Sequence, residues 1–268
     1  MKNKILYLIG YFFGRKKFYN IGVILQHLSH RMMGIGNYEN FTVSGEENVI
    51  RVIKKHTSKK RIIFIDVGAG DSSENTHLVK KYLPDSECYL FEPMAQTFNT
   101  LNLAYRYDKS VHCYNYAVGE KNTTVKLWDY VGDSSEHASL HKAAIGKHGS
   151  SHNVKQISLS SFIKKEKIEV PDFVKTDIEG YDFFAIKGLK SYLPEISFIQ
   201  FEFNSMNIHS KIRFNDIMQL LKKDFKVFRM YQDGLLEIID TAPIYTEIYE
   251  YQNFFAINRK IADARYIS

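Results

Sequence analysis

The sequence predicts an α/β fold with a mostly parallel sheet covered by helices on both faces. Three observations carry this expectation. Short apolar runs, among them "RIIFIDV", "ECYLFE", "PDFVKT" and "ISFIQFE", recur along the chain. Stretches with helical spacing separate them. The runs are continuous rather than alternating, as in strands buried on both faces, and strands joined through helices form right-handed parallel crossovers.

In chain order, "MKNKILYLIGYFFGRKK" comes first, with a nine-residue apolar run from Ile5 to Phe13. That run is too short to span a bilayer. Arg15, Lys16 and Lys17 follow it where a secretory cleavage site would need small residues. The expectation is therefore a cytoplasmic chain. "FYNIGVILQHLSHRMMGIG" again mixes apolar and basic residues at helical spacing. Residues 1–35 then either cap the body or rest on an anionic inner membrane face. Residues 1–58 read as a basic helical extension and 59–268 as one catalytic domain.

Ser44 followed by Glu47 gives a capping-box pattern, so a helix is expected over 45–56. "RIIFIDVGAG" is a buried strand that stops at a glycine turn. "SENTHLVKKYLP" and "AQTFNTLNLAYRY" read as helices on either side of the strand "ECYLFEP". "VHCYNYAVG" is a third strand, with "TVKLWDY" as its hairpin partner. Residues 129–153, rich in Ser, Gly and His, read as a long loop or lid. "SLSSFIKKEKI" leads to the fourth strand and "DFFAIKGLKSYLP" is a helix before the fifth. "FNDIMQLLKKD" is a helix, and "FKVFRMY", "LLEII" and "NFFAIN" are strands.

The composition is that of a packed globular chain: 268 residues, 44% hydrophobic and 25% charged. Aromatics at 14% are expected mainly in the core. The net charge of +6 is uneven. Residues 1–60 carry eleven Lys or Arg against three Glu, and the rest of the chain is close to neutral. No basic groove tracks the fold, so nucleic acid is not an expected partner. Two cysteines, Cys88 and Cys113, are too few for a zinc framework and read as free thiols in a reducing compartment.

In a parallel sheet of this kind, ligands bind beyond the carboxyl ends of the strands. The residues just past Asp66, Glu92, Val118, Asp177 and Glu202 should therefore face one crevice. Gly68 and Gly70 let the first turn approach a ligand closely. Glu92, at the end of the second strand, suits the two hydroxyls of a ribose. This pair fits a nicotinamide cofactor or S-adenosylmethionine, and Ser73, where a dinucleotide fold would want a third glycine, leans toward the second. A Tyr105-x-x-x-Lys109 couple sits on the flank of the sheet and reads as accidental. "KTDIEG" and "FEFN" bring Asp177, Glu179 and Glu202 to neighbouring strand ends. Three carboxylates there repel unless something positive stands between them. A sulfonium cofactor or a divalent metal would serve. His137 and His141, and His148 and His152, are spaced four apart, but the glycines and serines around them argue against a helical zinc site.

"FIDVGAGDSSENT", "YLFEP", "NYAVGE", "VKTDIEGYD" and "FIQFEFN", in that order, resemble the FkbM-type S-adenosylmethionine-dependent methyltransferases. The resemblance covers roughly residues 62–203. It implies a seven-stranded Rossmann-like (class I) methyltransferase sheet, here with an N-terminal helical extension. It further implies methyl transfer to a hydroxyl, commonly on a sugar or a polyketide-like product, and the acceptor expected here is a saccharide or glycolipid. By motif match, Asp66, Gly68 and Gly70 fall in the cofactor loop, Glu92 at the ribose, and Ala117 and Val118 beside the adenine. Asp71, Pro93 and Asp177 complete the expected cofactor set. Family members often carry "GANxG" after the first strand, where this chain has Gly70 and Ser73. By analogy with metal-dependent sugar methyltransferases, Asp177, Glu179 and Glu202 are a candidate magnesium site, with Glu179 or His209 as base. Two other readings compete: a nucleotide-sugar oxidoreductase or epimerase using nicotinamide, and a non-catalytic adenosyl-binding module.

Overall fold

A computed structural model describes residues 2–130, 149–239 and 242–263. Two helices, α1 (Lys2–Phe13) and α2 (Tyr19–Met32), precede α3 (Glu46–His56). Alternating elements follow: β1 (Ile63–Val67), α4 (Glu74–Tyr82), β2 (Glu87–Phe91), α5 (Ala95–Ala104) and β3 (Val111–Tyr114). A small sheet holds β4 (Ala117–Val118), β5 (Thr123–Tyr130) and β6 (Gly149–Ile157). The main sheet resumes with β7 (Phe173–Thr176), β8 (Phe198–Phe203), β9 (Phe225–Tyr231), β10 (Gly234–Glu237) and β11 (Gln252–Asn258). Its order is β10-β9-β11-β8-β7-β1-β2-β3, parallel from β8 to β3 and antiparallel from β11 to β10.

The strands are buried on both faces, and side chains alternate between two cores. Phe64 joins Cys88, Leu90, Phe173, Phe198 and Phe255 under α3, which adds Val49, Ile50 and Ile53. Ile65 and Val67 join Phe91, Val174, Ile199 and Phe201 on the other face. Most of the largest fully buried side chains are phenylalanines, so the high aromatic content fills the core. The same alternation points Asp66, Lys175, Gln200 and Glu202 toward the α3 face, and all four are buried.

Several elements differ from the sequence expectation. The main sheet has eight strands rather than seven, because β10 adds an antiparallel edge to β9. "TVKLWDY" does not pair with the third strand. That strand breaks at Asn115, whose Nδ2 donates to the Glu92 and Pro93 carbonyls at 2.9 and 3.0 Å. β5 then pairs antiparallel with β6, so residues 149–153 belong to a strand and His152 stands opposite Leu127. Residues 131–148, with His137, His141 and His148 of the expected lid, lie outside the described residues. The Ser44–Glu47 capping box does not form. Gly45 is the N-cap at φ +85, and a Cβ there would meet the Tyr231 backbone nitrogen at 2.8 Å. Ser44 instead donates to Glu46 at 2.7 Å.

Candidate active site

The C-terminal ends of β1, β2 and β7 open on one cleft of about 240 Å³. Gly68, Gly70, Asp71, Glu92, Pro93, Ala117, Val118, Asp177 and Glu179 all line it. Asp66 lies behind this wall, fully buried, and accepts from Thr76 Oγ1 at 2.9 Å. Glu202 is buried beneath Asp177, and His209 is exposed on the short helix Met206–Ser210, away from the lining.

The first turn is shaped by contact. Gly68 has φ +82, and a Cβ on it would lie 2.0 Å from the Asp177 carbonyl oxygen. The loops after β1 and β7 are thus pressed together where only glycine fits. The Asp177 amide donates to the Val67 carbonyl at 2.9 Å and holds that contact. Gly70, at φ +64, has open space where a Cβ would stand, which leaves its backbone bare to the cleft. Glu179 itself adopts φ +52, and Gly180, at φ +83, packs against the Met206–Asn207 backbone.

Lys175, one of the fully buried side chains, answers the question raised by the acidic strand ends. Its Nζ donates to Asp177 Oδ2 at 2.9 Å. In register it lies between Asp66 on β1 and Gln200 on β8. Gln200 in turn donates to Glu46 Oε1 at 2.9 Å, which brings in a carboxylate from the start of α3. Burial opposes the ammonium charge, but Asp177, Glu46 and Asp66 outweigh it and hold Lys175 above its ordinary range. Burial likewise opposes ionisation of Asp177; the Lys175 charge and a hydrogen bond from Glu202 hold it below the usual carboxylate range. Burial, and then the Asp177 charge, push Glu202 well above that range. Glu202 is therefore the protonated partner and Asp177 the ionised one.

The expected magnesium site finds no support in this arrangement. Among the described residues no three acidic, His or Cys side chains are grouped to hold a metal. The positive charge beside Asp177 is a side chain of β7 itself. Sequence reading missed Lys175 although it stands inside "VKTDIEG". The signal was a lysine within a buried strand, which is rarely left without carboxylate partners.

Asn204 organises the remaining acids. Its Nδ2 donates to Glu202 Oε1 at 2.7 Å and to Glu179 Oε2 at 3.3 Å. Glu92 accepts from the Met94 amide at 2.8 Å, and burial pushes its carboxyl up to about 7. Burial pushes Asp66 up to about 6 and Asp182 up to about 7. A second chamber, open to solvent and of about 320 Å³, lies across Asp177 from the cleft, lined by Tyr38, Glu46, Asn75, Lys175 and Tyr251 among others. Tyr38 and Tyr251 meet edge to face, with ring centroids 5.8 Å apart.

The donor set fits S-adenosylmethionine. Glu92 offers a carboxylate for two ribose hydroxyls, Ala117, Val118 and Leu127 offer an apolar wall for the adenine, and the acids at the β7 end suit a cationic amine and sulfonium.

The sheet order and a cleft with an acid at the β2 end define a Rossmann-like methyltransferase of class I. The chain belongs to the FkbM methyltransferase family, whose methyltransferase FkbM domain matches residues 66–230. It is an S-adenosylmethionine-dependent methyltransferase, which sets the nicotinamide reading aside. The hexuronic acid methyltransferase AglP of Haloferax volcanii is 24% identical over 186 residues, 67% of this chain and 69% of that protein. Solved structures are more distant. The plantazolicin methyltransferase BpumL in complex with SAH is 11% identical with a TM-score of 0.44, over 94% of both chains. Precorrin-6y C5,15-methyltransferase of Geobacter metallireducens is 9% identical with a TM-score of 0.38, over 78% of this chain and 87% of that one.

Proposed function

We propose that the chain transfers a methyl group to a hydroxyl of a saccharide, free or carried on a glycan or glycolipid. The observation that carries this reading is the position of Asp177, on the wall of both the cofactor cleft and the chamber of Tyr38, Tyr251, Glu46 and Asn75. Aromatic faces beside acids and amides suit a sugar, which presents apolar C–H faces and many hydroxyls. The likeness to a hexuronic acid methyltransferase supports the same acceptor class.

S-adenosylmethionine supplies a methyl group already activated on a sulfonium. The chain's residues hold the acceptor oxygen in line and take its proton. Positioning alone is worth about 7–11 kcal/mol. Glu179 is the base: it lines the cleft, and Asn204 fixes its carboxylate. Asp177 is a weaker base, because Lys175 stabilises its ionised form. Glu202 orients Asp177 through a proton, and His209 stays outside the reaction. The test is incubation with labelled S-adenosylmethionine and extracted cell-surface glycans, followed by locating the label. Label on a sugar oxygen is the expected result; label on protein or nucleic acid alone would overturn the acceptor class.

A further inference from the structure

We propose that α1, the basic turn after it and α2 form an arm that binds the surface of an anionic lipid bilayer. Residues 4–13 are all exposed, although Ile5, Leu6, Leu8, Ile9, Phe12 and Phe13 are apolar. No residue of α2 is buried, and Ile21, Ile24, Leu25 and Leu28 stand open to solvent. Exposed apolar side chains on both helices mark an unoccupied interface.

Charge selects the occupant. The first acidic residue of the chain is Glu39. Ahead of it stand Lys2, Lys4, Arg15, Lys16 and Lys17, at the outer end of α1 and in the turn between the helices. A second copy of the chain would bring identical positive charges to the same apolar face. An anionic headgroup layer neutralises them while the acyl region takes the apolar side chains. α1 is apolar around most of its circumference, more than one protein face would cover. At 12 residues it is about 18 Å long, well short of a hydrocarbon core of about 30 Å. No helix among the described residues is long and apolar enough to cross a membrane. The arm therefore lies in the interface, with tyrosines 7, 11 and 19 at headgroup depth.

The root of the arm is fixed to the body beside the second chamber. His30 Nδ1 is 2.5 Å from Glu250 Oε2, Tyr231 donates to the Met33 carbonyl at 2.9 Å, and the Gly36 amide donates to the Tyr251 carbonyl at 2.7 Å. Tyr251 also lines that chamber. A bound bilayer would thus stand on the side from which a lipid-carried acceptor arrives. That consequence rests on the acceptor reading; lipid binding does not.

The test is flotation of the full chain with vesicles of phosphatidylcholine alone and of phosphatidylcholine with phosphatidylglycerol. The protein is expected to float with the anionic vesicles. Binding should fall at least about tenfold without the anionic lipid, and by a similar factor in a triple variant Arg15→Glu, Lys16→Glu, Lys17→Glu. Leu8→Gln with Ile9→Gln should lower it on both vesicle types. Unchanged S-adenosylmethionine binding in both variants verifies that the body is folded. Failure to float, or equal binding to both vesicle types, would overturn the proposal. So would a vesicle-free dimer that the apolar variant dissociates, which would assign the face to a second copy.

Discussion

The ammonium of Lys175 lies 2.9 Å from the carboxylate of Asp177, two residues along the strand that ends at the cleft. Residues two apart on a strand point to the same side. The chain thus carries its own counter-ion to the mouth of the site, and a proton on Glu202 of β8 adds to it in keeping Asp177 ionised.

Removing that ammonium should cost more than removing an ordinary surface charge. Lys175→Met strands Asp177, Glu46 and Asp66 without their shared cation. Loss of one partner of a fully buried pair costs about 3–5 kcal/mol, and the third of Asp177 that faces the cleft lowers this to about 2–3 kcal/mol. Urea denaturation should register a loss of that order, and adding Asp177→Asn should restore part of it. A loss below about 1 kcal/mol would mean the pair is effectively solvated.

Cofactor affinity should depend on pH through Glu92. Its carboxyl is pushed up to about 7 by burial, so much of it is protonated just below neutrality. Ribose hydroxyls are better received by the ionised form. Binding then releases a proton, and affinity for S-adenosylmethionine should weaken about tenfold per pH unit below pH 7. Calorimetry across that range reads the slope. In Glu92→Gln the affinity should be lower and the slope flat.

Stability without cofactor should run in the opposite direction. Asp66 and Asp182 have folded values of about 6 and about 7, above those of an ordinary carboxyl. Groups raised in this way contribute stability that is full below the unfolded value and is lost as pH rises through the folded one. Stability in urea should therefore fall between about pH 4 and pH 7, by a total on the order of 6 kcal/mol. Asp177, held low, contributes the opposite trend, lost only as pH falls below the ordinary carboxylate range.

Gly68 and Gly70 should respond differently to alanine. Both have positive φ, which costs a non-glycine residue about 1–2 kcal/mol. Gly70→Ala meets nothing further. Gly68→Ala must also displace the Asp177 carbonyl, adding on the order of 1–3 kcal/mol. Thermal unfolding should rank the two, and Gly68→Ala should carry the larger loss of cofactor binding.

The acids at the β7 and β8 ends should separate by role. Glu179→Gln is expected to lower the methyl-transfer rate by about 10²–10⁴-fold, the usual weight of a general base. Glu202→Gln keeps a donor toward Asp177 and should retain most of the rate, whereas Glu202→Ala should not. His209→Ala should leave the rate near that of the unmodified protein. A loss in His209→Ala matching that of Glu179→Gln would move the base to His209. Activity should survive complete chelation of divalent metal, because Lys175 already supplies the charge beside Asp177.

Much of the frame is legible in the sequence. Continuous apolar runs ending in Gly68, Glu92, Asp177 and Glu202 identify strands and the end at which ligands gather. That end is fixed by chain direction, which is a local property. The proposed cofactor residues on the cleft wall follow from it, since each stands at or just past a strand end.

Partnership across strands is not local. Alternation tells that Lys175 and Asp177 share a face, yet it does not tell that Asp66 and Gln200 flank Lys175, or that Glu46 arrives 154 residues away from Gln200. The pairing of β5 with β6 and the place of β10 at the sheet edge were hidden for the same reason. Strand type is written in side-chain period, but register and neighbour depend on which surfaces the whole chain can bury together. The sequence by itself determined the order of elements, the glycine turn and the acids at the strand ends. Tertiary structure alone decided their charge states, because a buried carboxylate is ionised or protonated according to what folding brings within a few ångströms of it.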